Sequence, residues 1–435
     1  MKAIYEKDGL YSSLRPVVDW CCRHSYRRFE MHGEENLPED GALILAPNHT
    51  NTLMDALVML RAYKGPTVFG ARADIFKKPA IARIMHFLRI LPMVRQRDGL
   101  RNVLKNHENT ETIVSTLEHG VRFCIFPEGK HRTMHSLLPL GKGVLRAALA
   151  ANAKFGHVKP VYIVPVGIEY GDWFRYRSTC MITYGEPINV TQFVKEFDVQ
   201  NEAQVFEPLK KELASRMSGL ITYISDDENY DGKWALVRIL SCPQRTRSLY
   251  GRMALNKGII SRIENACGQH PEEMAVLLCQ AGRFSTEMKR KKLSHWSAGK
   301  KNPAGNALLK GLAAFAMLPY FIFCAIASLP LWATFMALKK KLKDKAFRNT
   351  AGFGVKLAMG PIVFALWAVL AFCLLEWPLA LALSVLTIPS YSFFHDYIEF
   401  MRRWISDLRF MSDRKLKEEY CRICSRAEEM LGITR

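Results

Sequence analysis

A histidine and an aspartate six positions apart, His49 and Asp55, are the first residues whose types and spacing suit chemistry. A short apolar run over residues 42–46 reads as a buried strand, and Pro47 and Asn48 end it. His49 follows in a polar loop, and Asp55 stands where an apolar helical pattern begins. An imidazole titrates near neutrality. A carboxylate that holds one ring nitrogen as N–H leaves the other free to take a proton, which equips a general base. A lone His near a lone Asp is more often ordinary loop chemistry, so the pair needs context.

That context comes from the elements around it. Short apolar runs at 67–71, 90–94, 122–126, 160–168 and 180–184 read as strands, and helical patterns fall between most of them. Alternating strands and helices predict an α/β fold with a mostly parallel sheet flanked by helices, followed by a helical region and C-terminal membrane helices. Ligands in such sheets bind beyond the carboxyl ends of strands. His49 falls at one such end. Glu128, in Pro127-Glu128-Gly129-Lys130-His131-Arg132, falls at another, so the two are expected on one rim.

Composition narrows the partner. Of 435 residues, 61 are Lys or Arg and 41 Asp or Glu, a formal charge of +20 that favours anionic partners. Uncharged apolar stretches at 311–338, 357–375 and 379–394 turn that preference towards lipid rather than nucleic acid, for which no base-stacking motif is present. The last two stretches predict a helical hairpin turning at Glu376 to Pro378. The first has basic flanks on both sides and contains Pro319 and Pro330, so it is expected to bend back in the membrane or lie as an interfacial hairpin. The domain order expected is an amphipathic N-terminal helix (1–28), a catalytic domain (29–225), a basic helical region (226–300), membrane hairpins (301–400) and an amphipathic tail (401–435).

The 11 scattered cysteines read as reduced thiols used as small hydrophobes. Cys421 and Cys424 form a lone CxxC, and His131 and His135 lack a third ligand, so no metal is expected. Gly141-Lys142-Gly143 lacks the spacing of a phosphate loop and reads as the start of a helix near the site. No signal peptide is visible in the first 30 residues, so the N-terminal region is expected to stay in the cytoplasm.

Four blocks line up in order: Asn48-His49 with Asp55; Arg72 and Pro92-Met93-Val94-Arg95; Phe126-Pro127-Glu128-Gly129; and Val164-Pro165-Val166. Together they resemble the glycerolipid acyltransferase family, the lysophosphatidic-acid and glycerol-3-phosphate acyltransferases, in its long bacterial branch with a C-terminal membrane region. The resemblance covers about residues 29–190. It implies that His49 deprotonates a glycerol hydroxyl, which attacks the thioester of acyl-CoA or acyl-carrier protein, and that Asp55 orients the imidazole. It implies that Arg95 meets the acceptor phosphate and that Glu128 and Gly129 hold the acceptor glycerol. The acyl carrier is a substrate, and no cofactor is implied.

Two features depart from the family pattern. Asp55 comes one residue later than usual, with Met54 in the usual place, and a bulge between loop and helix is expected to absorb the difference. Phe-Pro-Glu-Gly is followed by Lys130-His131-Arg132, so Lys130 and Arg132 bracket the expected arginine and either suits an anionic group. Arg72 and Arg97 complete the substrate-binding candidates. Two other readings stand beside phosphatidic-acid synthesis. One is acyl transfer to another lysolipid, such as a lysophospholipid or an amino-acid lipid. The other is a non-enzymatic, membrane-tethered basic binding protein.

Overall fold

A computed structural model of the chain describes every residue except 1–2, 7, 64, 94–100, 197–201, 301, 343 and 434–435, and leaves the side chains of 101–108 and 202–203 undescribed. The chain forms two compact units. The first comprises Met1–Ile221 with Leu342–Leu357, and the second Thr222–Lys341 with Ala358–Arg435.

Among the described residues the first unit is built on eight strands: β1 (Tyr26–His32), β2 (Ala42–Pro47), β3 (Thr67–Arg72), β4 (Ile90–Met93), β5 (Arg122–Cys124), β6 (Val161–Tyr170), β7 (Ser178–Tyr184) and β8 (Ile188–Asn189). Their order is β1-β7-β6-β2-β5-β3-β4, with β8 beside β6. Every pair is parallel except β6–β7 and β6–β8. The expected mostly parallel sheet is therefore present. A parallel sheet carries helices on both faces, so its central strands are apolar throughout. β2 obeys this: all six of its residues are buried.

Successive side chains on β2 point to opposite faces. Ala42, Ile44 and Ala46 enter one core, shared with Val144, Ala148 and Ala151 of the helix Gly143–Phe155 and Leu209 and Leu213 of the helix Glu202–Gly219. Leu43 and Leu45 enter the other, shared with Met54 and Val58 of the helix Leu53–Ala62 and Cys21 and Cys22 of the helix Gly9–His24. Phe353 joins this second core, although it comes from the stretch expected to be membrane region. The central strand is thus clamped from both sides, which fixes where its carboxyl end delivers the chain.

The second unit is helical. The helices Tyr230–Ser241, Leu249–Gln269, Pro271–Arg290 and Arg414–Leu431 bury leucine, isoleucine and phenylalanine against one another. Among the described residues two helices, Pro303–Lys341 and Phe347–Leu374 (the latter in this unit from Ala358 on), are long and apolar enough to cross a membrane, and the bent pair Trp377–Thr387 and Ser390–Ser412 makes a third if counted as one span. Many of their large apolar side chains are exposed, Phe315, Ile322, Leu366 and Leu374 among them.

The expectation of a hairpin within 311–338 is corrected: Pro303–Lys341 is one continuous helix that contains both Pro319 and Pro330. Proline removes one helical N–H and normally breaks a helix, but apolar helices tolerate it when neighbours support the backbone. At other carbonyls of this helix the Trp404 indole donates to Ala307 O at 2.8 Å, the Tyr397 hydroxyl to Ala314 O at 3.0 Å and the Trp367 indole to Ala327 O at 3.1 Å. Lys300 and Lys310 both reach the buried Asp407. The break expected at Glu376 to Pro378 is present: one helix ends at Leu374 and the next begins at Trp377. A further bend of 54° separates Thr387 from Ser390.

Candidate active site

Parallel pairing puts the carboxyl ends of β2 and β5 side by side, and β2 ends against the middle of β6. Leu45 sits opposite Cys124 on β5 and Pro47 opposite Val166 on β6. The chain leaving β2 is held at once. The Asn48 side-chain amide accepts from Ile168 N–H at 2.6 Å and donates to Ile168 O at 3.1 Å, which extends the β2–β6 pairing by one side chain. His49 is the next residue.

Asp55 lies in the first turn of the helix Leu53–Ala62, where the helix dipole favours a negative charge. It is fully buried. Its Oδ2 accepts from His49 Nδ1 at 2.8 Å, Thr50 N–H at 2.8 Å and Asn51 N–H at 2.7 Å. Its Oδ1 accepts from the Tyr170 hydroxyl at 2.7 Å. Burial and the nearby Asp55 charge push the Tyr170 phenol well above its ordinary value, so it remains a donor. A carboxylate that accepts so many N–H and O–H groups assigns the proton of His49 to Nδ1 and leaves Nε2 as an acceptor. The His49 side chain keeps 18% exposure while Asp55 keeps none. One end of the imidazole is anchored and the ring is reachable.

The extra residue between His49 and Asp55 is absorbed by backbone conformation. Thr52 adopts φ 49° and ψ −129°, a region that a β-branched residue enters only under strain. That turn carries Thr50 and Asn51 past the carboxylate so that both N–H groups point at it.

Glu128 follows β5 and closes the loop from the other side. Its Oε1 accepts the His49 N–H at 2.7 Å and its Oε2 the Leu138 N–H at 2.8 Å. Burial pushes its carboxyl pKa up, against the two N–H groups that favour the charged form. Gly129 takes φ 61° in the turn that follows, with its N–H on Phe126 O at 3.1 Å. Arg132 N–H donates to His49 O at 3.0 Å, and its guanidinium donates to Ser136 Oγ at 2.7 Å. The Phe126 ring stacks on the His49 imidazole with centroids 4.3 Å apart. Gly141 N–H ties back to Pro127 O at 2.8 Å, just ahead of the helix Gly143–Phe155.

The structure therefore brings His49, Asp55, Glu128, Gly129 and Arg132 into one loop cluster. Arg72 stands at the carboxyl end of β3, two strands from β2, exposed and paired to Asp74 through two hydrogen bonds of 3.0 and 2.6 Å. Lys130 is exposed. Arg95 and Arg97 lie outside the described residues. No group of three or more metal-ligating side chains occurs among the described residues.

The sequence model of the Acyltransferase family matches residues 28–169, which span β1 to nearly the end of β6 and include His49, Asp55 and Glu128. Residues 28–169 form a domain of the acyltransferase family. Two proteins of Saccharomyces cerevisiae are similar within it. Glycerol-3-phosphate O-acyltransferase 2 is 34% identical over 113 residues, 25% of this chain and 15% of that protein. Glycerol-3-phosphate O-acyltransferase 1 is 38% identical over 74 residues, 17% of this chain and 10% of that protein. The matched stretches thus span about a sixth or less of either yeast protein. The crystal structure of the 1-acyl-sn-glycerophosphate (LPA) acyltransferase PlsC from Thermotoga maritima aligns with a TM-score of 0.35 at 21% identity, over 49% of this chain and 82% of that one.

Three further residues join this candidate site: Asn48, Tyr170 and His131. Asn48 was visible in the motif, but its clamp on Ile168 depends on strand order. Tyr170 closes the Asp55 network from the far end of β6, with no local signal. His131 lies edge-on to His49 with centroids 5.8 Å apart, a role its sequence spacing from His135 does not suggest.

Proposed function

We propose that this protein is a membrane-bound O-acyltransferase that moves a fatty acyl group from acyl-CoA or acyl-carrier protein to a hydroxyl of lysophosphatidic acid or glycerol-3-phosphate. The observation that carries the reading is the His49–Asp55 contact of 2.8 Å at the end of a central strand, inside an acyltransferase-family domain. The yeast relatives bearing the name glycerol-3-phosphate O-acyltransferase support the acceptor class.

In this mechanism His49 Nε2 accepts the proton of the acceptor hydroxyl as its oxygen attacks the thioester carbon. The imidazolium is stabilised by Asp55 through Nδ1–H. The C–S bond then breaks, and the leaving thiolate takes the proton from Nε2, which restores the neutral base. Glu128 and Asn48 hold the backbone that carries the imidazole. The open space around Gly129, where an added Cβ would meet nothing within 4 Å, suits the glycerol. Arg95 is the proposed partner of the acceptor phosphate, with Arg72, Arg97, Lys130 and Arg132 as further cationic candidates; a guanidinium fork matches two phosphate oxygens. The acyl carrier is a substrate, so no resident cofactor is required. The apolar helices suit the membrane that holds a lysolipid acceptor, with the catalytic domain on the cytoplasmic face of the inner membrane.

The test is acyl transfer by the purified full chain in detergent, with radiolabelled acyl-CoA or acyl-carrier protein and either glycerol-3-phosphate or lysophosphatidic acid. Labelled product is expected with one acceptor, and His49→Ala is expected to lower its rate by about 10²–10⁴-fold with the fold intact. Product formed at an undiminished rate by H49A, or none with either donor and either acceptor, overturns the proposal.

A further inference from the structure

The segment Leu342–Leu357 belongs to the same compact unit as the sheet, although it lies far beyond the family-matched residues 28–169. It reaches the candidate site at two points, one in the loop after β5 and one in the His49 turn. Asp344 Oδ2 lies 3.2 Å from His131 Nε2, and Asp344 Oδ1 accepts the Ala346 N–H at 2.8 Å. The Thr350 hydroxyl lies 3.2 Å from that of Thr52, the strained residue of the turn. Phe353 anchors the segment in the core that contains Met54. His131 itself stands between two rings: its centroid is 5.8 Å from His49 and 6.2 Å from Phe347, edge-on to each.

A second His–Asp pair therefore abuts the first. We infer that Asp344 is a positioning residue: by holding His131 it fixes the edge against which the His49 imidazole rests. The inference builds on the acyltransferase reading of the centre. Asp344 is half exposed, and an exposed ion pair contributes little to stability. What the contact can set is ring placement, and small misplacements of a catalytic group cost rate steeply. Two rings then bound the base, Phe126 on its face and His131 edge-on, both from the loop after β5, and the second is held from outside that loop by Asp344.

The experiment uses the full chain in detergent with Asp344→Ala, His131→Ala and the double variant. D344A is expected to lower kcat by about tenfold to a hundredfold while the acceptor KM stays within about twofold. The double variant is expected to be no slower than H131A, because Asp344 acts through His131. An independent readout is labelling by diethyl pyrocarbonate, followed by peptide mass. His131, released from Asp344, is expected to react several-fold faster in D344A at an unchanged melting temperature. An active wild type whose D344A variant keeps its kcat, or a double variant that loses the product of the two single losses, overturns the role of Asp344. A wild type without acyl transfer overturns the reading of the centre instead, and the labelling still reports the contact.

Discussion

At the scale of single residues, Glu128 combines opposed demands. Both its oxygens are taken by backbone N–H groups, yet burial raises its pKa above that of a free glutamate. A raised pKa in the folded state means that folding favours the protonated form. Stability from this group is fully present below its unfolded value, near 4.5. It is lost as pH rises through the folded value, because the unfolded chain ionises first. Glu128→Gln does not titrate. The melting temperature of the wild type relative to E128Q is therefore expected to fall as pH rises through this window, as read by thermal denaturation at a series of pH values. A difference that grows with pH would mean that the two N–H groups outweigh burial.

At the scale of elements, the turn from His49 into the helix Leu53–Ala62 trades strain for geometry. Thr52 occupies a backbone region suited to glycine, and such residues cost on the order of 1–3 kcal/mol. Thr52→Gly relieves this strain but removes a buried hydroxyl and its contact to Thr350, so stability is expected to change by no more than about 1 kcal/mol. The same change should lower acyl transfer, because a looser turn presents Thr50 and Asn51 N–H groups less reliably to Asp55. Chemical denaturation and initial rates on one preparation measure both. The existence of this helix, and of the strand before it, was readable from apolar patterning. The turn was readable only as an extra residue that needed a bulge. Its conformation follows from the three donors that Asp55 Oδ2 gathers.

At the scale of the whole molecule, charge and apolar surface act together. The formal charge of +20 suits an anionic surface, and such attraction weakens with salt. The helices Pro303–Lys341 and Phe347–Leu374 present apolar side chains that salt does not release. The chain is expected to stay with the membrane pellet through washes in high salt and alkaline carbonate and to leave it only in detergent. Release by salt alone would assign the association to charge.

The sequence by itself determined the parts whose cause is local. Strands at 42–46 and 122–126 were legible because continuous apolar runs must be buried. His49 and Glu128 were legible because both follow such runs, and their shared rim followed from the carboxyl ends of parallel strands. The long apolar helices were legible from length and the absence of charge. Tertiary structure decided what depends on partners distant in the chain. The clamp of Asn48 on Ile168 needs β6 beside β2, which no local pattern encodes. The Tyr170 hydroxyl and the Asp344 carboxylate reach the two histidine–aspartate pairs across 115 and 213 positions of sequence separation. Proline content and basic flanks suggested a bend within 311–338, and the helix runs on through both prolines. Residue type fixes what a side chain can do; only packing fixes which other side chain it does it with.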